Sequence, residues 1–247
     1  MSGIQLTSDR FVDDVKSSLA AWRQAPLLPI VAALLVVIEL PSYGLWTIAV
    51  VLPVGFFAFG WLGTQLIWYQ RAFNGESSNP RQVISLTWSF VARYFWLLCL
   101  ASVPALALLI VLAITKLFTS DSFQSPGVRV GVFAYIGVAG MVGTFIVPAL
   151  AFSTRKVTKA IPHGLRMIAQ GWPNNWKYVV VPGVVEAALG SIYWLVPSPG
   201  RPALDILITL ISLVFAGAIA RYYLRTKPTD GVMASSVTSG SNDLADG

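Results

Sequence analysis

The sequence predicts an all-α fold: a polytopic transmembrane helix bundle of six spans, arranged as three hairpins, each preceded by an amphipathic interfacial helix. Three observations predict it. The 247-residue chain is 55% hydrophobic and 11% charged, with a mean hydropathy of +0.69, whereas soluble domains carry roughly 25% charged residues. Its apolar residues come in runs of roughly 15 to 25 between short polar breaks, the length of a bilayer crossing. Its Lys and Arg gather beside alternate ends of those runs, as the positive-inside bias requires.

The spans fall at 26–40, 45–70, 94–114, 130–153, 178–196 and 203–220. Each must be helical, because lipid offers the backbone no hydrogen-bond partner. The first two are divided only by Pro41-Ser42-Tyr43-Gly44, a turn-forming cluster in a stretch too long for one crossing. The first 24 residues are polar and carry Asp9, Asp13 and Asp14, which argues for a retained cytoplasmic segment and against a cleaved signal. Past Lys227 the composition turns to Gly, Ser, Thr and Asp, so 227–247 is expected to be a disordered tail. The organisation is therefore a 1–24 segment, a 25–226 membrane domain and that tail.

Orientation follows from the cations. Of the 17 Lys and Arg, only Lys116, Arg129 and Arg201 lie on one side of the span set, and the other fourteen lie opposite. Both termini are thus expected in the cytoplasm of a multi-pass protein of the cell membrane. Trp22, Trp88, Trp172 and Trp176 mark the basic side, and Tyr43, Trp46, Tyr193 and Trp194 the other, as interfacial aromatic belts do. The net charge of +6 is then a statement of topology. No basic segment is interleaved with base-stacking aromatics, so nucleic acid is excluded as a partner. One cysteine and one histidine leave no disulfide framework, thiolate cage or multi-histidine metal site.

Three stretches outside the spans carry one-sided helical spacing: Phe11, Val15, Leu19, Trp22; Ile84, Trp88, Val91; and Ile161, Leu165, Ile168, Trp172. Their other faces hold Asp13, Asp14 and Lys16, then Ser85 and Ser89, then Arg166 and Gln170. Apolar face down, they are expected to lie in the cytoplasmic interface. From each interfacial Trp to the basic residue closing its hairpin the distances are 49, 67 and 49 residues (Trp22 to Arg71, Trp88 to Arg155, Trp172 to Arg221). The units so defined run about 10–75, 80–156 and 158–226, a parallel internal triplication. Arg93-Tyr94 and Lys177-Tyr178 stand where spans 3 and 5 begin.

In those interfacial Trp helices, those cation-Tyr pairs and the basic ends at Arg71, Arg155 and Arg221, residues 10–226 resemble the bacterial six-helix membrane proteins of the glycerophosphoryl diester phosphodiesterase membrane-domain type. The resemblance implies a membrane-embedded module near lipids or a partner protein. It implies no activity, since the chain has no soluble phosphodiesterase domain.

Candidate chemistry is sparse. Glu186, near the middle of span 5, is the first candidate, because a carboxylate there costs roughly 2.5 to 3.5 kcal/mol on insertion scales and is functional by default. A protonated Glu186 bonded to a neighbouring helix fits equally well. Asp205, four residues after Arg201, and Glu39, two before Pro41, sit at outer span ends, where solvated caps and headgroup contacts are ordinary. If the three acids converge, they can bind a cation or relay protons. Arg93, Arg155, Lys156, Lys159, Arg166 and Lys177 are candidate lipid-headgroup contacts, with anionic lipids attracted at about 1 kcal/mol per charge. His163, among cations, reads as a further headgroup contact. Gly137, Gly140 and Gly143 form a small-residue stripe for helix packing.

No catalytic residue, metal site or cofactor is expected. The sequence favours a non-catalytic membrane component acting through the lipid bilayer, a protein partner or a second copy of itself. A small-molecule or ion transporter or channel using Glu186 is the alternative.

Overall fold

A computed structural model describes residues 3–39, 45–76, 80–114, 135, 137–193 and 196–226. Helix accounts for 92% of them and no strand occurs among them, so the fold is all-α. The elements are α1 (Gly3–Gln24), α2 (Leu27–Glu39), α3 (Leu45–Phe73), α4 (Pro80–Ile114), α5 (Ile146–Phe152), α6 (Val157–Tyr193) and α7 (Arg201–Thr226). Residues 137–143 are also helical, with a turn at Thr144–Phe145 before α5. A 3-10 turn, Ser198–Gly200, leads into α7. The tail expected at 227–247 lies outside the described residues.

Local sequence accounts for the breaks. Between α1 and α2, Pro26 supplies no backbone N–H, and the segments 10–24 and 27–37 meet at 90°. At the end of α3, Gly75 takes φ 74°, which a Cβ disfavours. Its amide donates to Ala72 O at 3.1 Å and that of Glu76 to Arg71 O at 2.9 Å, the paired closure of a Schellman motif.

Among the described residues, a separate helix before the apolar stretch is found in the first unit alone. Residues 84–91 and 161–172, expected as distinct helices, run without a break into the following apolar stretches as parts of α4 and α6. Nothing between Trp88 and Tyr94 stops a helix. In α6, Pro173 is accommodated while the Asn175 amide donates back to Met167 O at 2.7 Å in the adjoining turn.

Among the described residues, α7 is the helix long and apolar enough to cross a membrane alone, with a mean hydropathy of 2.3. The bent pair 10–24 and 27–37 meets the same criterion jointly, and 84–100 and 137–152 are shorter apolar helices.

Two cores form, and α7 serves both. One joins α1, α2, α3 and α7 through Ala21, Leu28, Trp61, Leu66, Tyr69 and Leu213. The other joins α4, α5, α6 and α7 through Phe90, Tyr94, Phe145, Leu150, Tyr178 and Tyr223. Small residues permit the close crossings. A Cβ added at Gly60 would meet Thr87 O at 2.1 Å, and one at Gly183 would meet Met141 at 2.7 Å. Of the predicted glycine stripe, Gly137 packs against the Gly183 carbonyl, while Gly143 has nothing within 4 Å.

On α1 the expected apolar stripe keeps Leu19 outward and Phe11 and Trp22 at the edges of the two cores, but part of the face expected to meet water is buried. Its inward positions are Asp14, Ser18, Ala21 and Ala25, spaced 4, 3 and 4 apart, whereas Val12 and Leu19 are exposed. Short side chains line the inward face because the partner helix arrives close to it. At Gly217 on α7, an added Cβ would stand 2.1 Å from Ser18 Oγ, so only small side chains fit. Asp14, expected on a watery face, is therefore inside.

Candidate functional site

The packing of α1 on α7 assembles a polar network at the end of the bundle that carries most cations. Asp14 lies one turn before Ser18, and on α7 Arg221 and Arg225 lie one and two turns beyond Gly217, so the close crossing carries the carboxylate to the two guanidinium groups. Arg225 donates to Asp14 Oδ2, and Arg221 Nε stands 3.6 Å from Oδ1. From α6, the Tyr178 hydroxyl donates to Oδ2 at 2.5 Å. The Asp14 side chain is 1% exposed against 37% and 45% for the two arginines. The network is thus a sealed acid facing cations that still reach water, and a buried charge persists only when paired in this manner.

A second chain of bonds runs beside it. Trp22 Nε1 donates to Tyr69 OH at 2.7 Å, and Tyr69 OH donates to Leu213 O at 3.0 Å, tying α1 and α3 to α7. Arg221 also rests over the Phe73 ring, 5.6 Å from its centroid. Tyr223 shares a 2.6 Å hydrogen bond with Ser153. Burial raises the pKa of Tyr222 and of Tyr223 above the ordinary 10.0, partly offset by Arg225 for the first and by the Ser153 bond for the second.

Of the three predicted acids, Glu186 and Asp205 occupy separate surroundings. Glu186 is half-buried on α6 and accepts a 2.8 Å hydrogen bond at Oε1 from Ser212 of α7. Its Oε2 faces Gly140, where an added Cβ would sit 3.6 Å away. Asp205 lies beside Tyr193 and Arg201, and the Arg201 guanidinium covers the Tyr193 ring at 5.5 Å. Seven residues of α7 separate Asp205 from Ser212, about 10 Å of helix rise, so the two acids do not meet. Glu39 closes α2, and its side chain lies outside the described residues. Among the described residues no three of His, Cys, Asp and Glu come together.

The basic candidates divide as well. Arg155, Lys156, Lys159 and Arg166 are exposed. Lys177 covers the Trp176 ring at 5.6 Å, and Arg93 lies over Phe90 at 5.0 Å. The Arg93 pKa is lowered first by burial and then by the charge of Arg155. His163 is half-buried, its ring edge-on to Tyr223 at 6.1 Å, and its enclosed Nε2 lacks a partner among the described residues. It is packed inward rather than turned to a headgroup.

Sequence reasoning missed the Asp14 network. The available signal was the run Asp14, Ser18, Ala21, Ala25, a small-residue helix face headed by an acid. It was masked by the bulkier apolar stripe beside it. No family model, curated protein or solved structure matches the chain.

Proposed function

We propose that the chain is a multi-pass membrane protein of six spans, with both termini in the cytoplasm, acting as a non-catalytic component through lipid and protein contacts. The observation that carries this reading is an inside-out polarity. Large apolar side chains point outward along most helices, among them Leu34, Trp96, Val103, Ile110, Val138 and Val184, each more than half exposed. Asp14, Thr64, Thr87 and Asn175 are instead sealed inside. Each outward Val, Leu or Ile gains about 1.5 to 3 kcal/mol on leaving water, and apolar surface on this scale marks a lipid or protein environment.

The three-hairpin organisation is supported by a head-to-tail order of packing. α1 of the first unit lies on α7 of the third, α4 of the second on α3 of the first, and the start of α6 on α5 of the second, where Gly164 abuts Ile146. The experiment is a reporter at the carboxyl terminus combined with native mass spectrometry of the protein extracted in mild detergent. A cytoplasmic reporter with retained lipid or a co-purified protein is expected. A reporter active outside the cytoplasm overturns the topology, and a bare monomer overturns the accessory role.

A second reading, transport through Glu186, is favoured by one observation: the Oε2 atom faces a glycine, which leaves room beside it. Loss of a measured proton or cation flux in Glu186→Gln supports it, and unchanged flux removes it.

A further inference from the structure

The cations at the start of α6 are laid out on one flank. Lys156, Lys159 and Arg166 follow at spacings of 3 and 7, which at 3.6 residues per turn keeps them together. The inward face of the same turns holds Ala160 and Gly164, and the far flank exposes Leu165 and Trp172. This stretch of helix therefore has three faces: one buried, one cationic and one apolar.

The cationic flank begins where α4 brings a further positive charge. Tyr94 OH donates to Val147 O on α5 at 2.9 Å, which pins α4 beside the chain that leads to Arg155. Arg93 is held against Phe90 within reach of the Arg155 charge. Among the described residues no carboxylate pairs with Arg93, Arg155, Lys156, Lys159 or Arg166. Among the described residues the fold thus gathers like charges without a counter-ion, on a helix whose far flank turns apolar side chains outward.

We propose that this corner binds the phosphate of an anionic phospholipid, with Arg93, Arg155, Lys156 and Lys159 around the headgroup and Leu165 and Trp172 among the acyl chains. The proposal rests on the membrane reading above and adds a lipid class and a place. Free inorganic phosphate shares the anion chemistry but makes no use of the apolar flank. Lys177, spent on Trp176, stands apart from this set.

The test uses the full chain in nanodiscs of zwitterionic lipid with a minor fraction of phosphatidylglycerol, reading bound lipid by native mass spectrometry. Preferential retention of phosphatidylglycerol is expected. Lys156→Gln with Lys159→Gln should weaken it about 25-fold, roughly fivefold per charge near the surface. Both positions are exposed, and Lys16→Gln, an exposed cation on α1, should leave retention unchanged. Equal retention of both lipids, an unaffected double variant, or the same thermal stabilisation from millimolar inorganic phosphate alone overturns the proposal. Membrane fractionation separates the two readings: a chain absent from membranes overturns both, whereas a membrane-inserted chain without lipid preference overturns only this one.

Discussion

Asp14 and Tyr178 stand 164 residues apart in the chain and share a 2.5 Å hydrogen bond. That bond, with the two arginines on the same carboxylate, joins the first helix to the last two. The basic end of the bundle is consequently closed by a charge held inside it, and α1 is the removable part of that closure.

Neutralising the acid should loosen α1. Asp14→Asn keeps the shape and an acceptor for Tyr178 but deprives Arg221 and Arg225 of their counter-ion. A loss of about 1.5 to 3 kcal/mol is expected, the range for a hydrogen bond to a charged group. Trypsin should then cut faster at Lys16, which is exposed on α1. Asp13→Asn, at an exposed position, should change stability by less than about 0.5 kcal/mol. Equal melting of the two variants in mild detergent would contradict the role given to Asp14.

The crossing of α1 and α7 depends on Gly217. An alanine there places its Cβ 2.1 Å from Ser18 Oγ and 2.6 Å from Tyr69 Cε1, an overpacking worth about 1 to 3 kcal/mol. Ser18→Ala removes the nearest clashing atom, so the double variant should recover part of the loss, a coupling that a double-mutant cycle reads directly. Gly143→Ala, with nothing within 4 Å, should be close to neutral.

These two residues also indicate how far the sequence could be read. Helix as the fold class was legible because the apolar runs leave no other backbone solution in lipid. The breaks beside Arg71 and Arg155 were legible too, since these residues stand at or just past the ends of α3 and α5, whereas Arg93 lies inside an unbroken α4. The orientation of α1 was not legible. Amphipathic spacing ranks faces by hydrophobic bulk, whereas the winning face was chosen by how closely Gly217 lets α7 approach, a property of a residue some 200 positions away. The Asp14 network follows from that crossing and was hidden with it. Glu186 was legible as an acid set in an apolar run, but its Ser212 partner lies on another helix whose register the sequence does not set.

Alkaline pH should weaken the fold. Tyr222 and Tyr223 have pKa values raised above 10.0 by burial, so the folded state holds those protons more tightly than the unfolded chain. Their contribution is fully present below about pH 10 and is lost as pH rises through the folded values. Melting temperatures across pH 8 to 11 should be flat at first and then fall. Tyr223→Phe should make the fall shallower, and an identical alkaline profile would count against the assignment.

Glu186 should be replaceable without harm to the fold. Glu186→Gln still accepts the hydrogen bond from Ser212, so stability should move by less than about 0.5 kcal/mol. Ser212→Ala leaves Oε1 without its donor and should cost about 1 kcal/mol. A large loss in Glu186→Gln alone would mean that the negative charge itself holds α6 to α7.

The central claim, that α1 is docked across α7 at the basic end, is tested most directly by cross-linking. Phe11→Cys with Phe215→Cys, at positions whose rings stack 6.5 Å apart, in a background where Cys99 is replaced by Ser, should be joined within one chain by a short bifunctional thiol reagent in native membranes. Prior Asp14→Asn should slow the linking. Two cysteines that stay unlinked after treatment with the reagent, in a chain that remains in the membrane, would contradict the docking of α1.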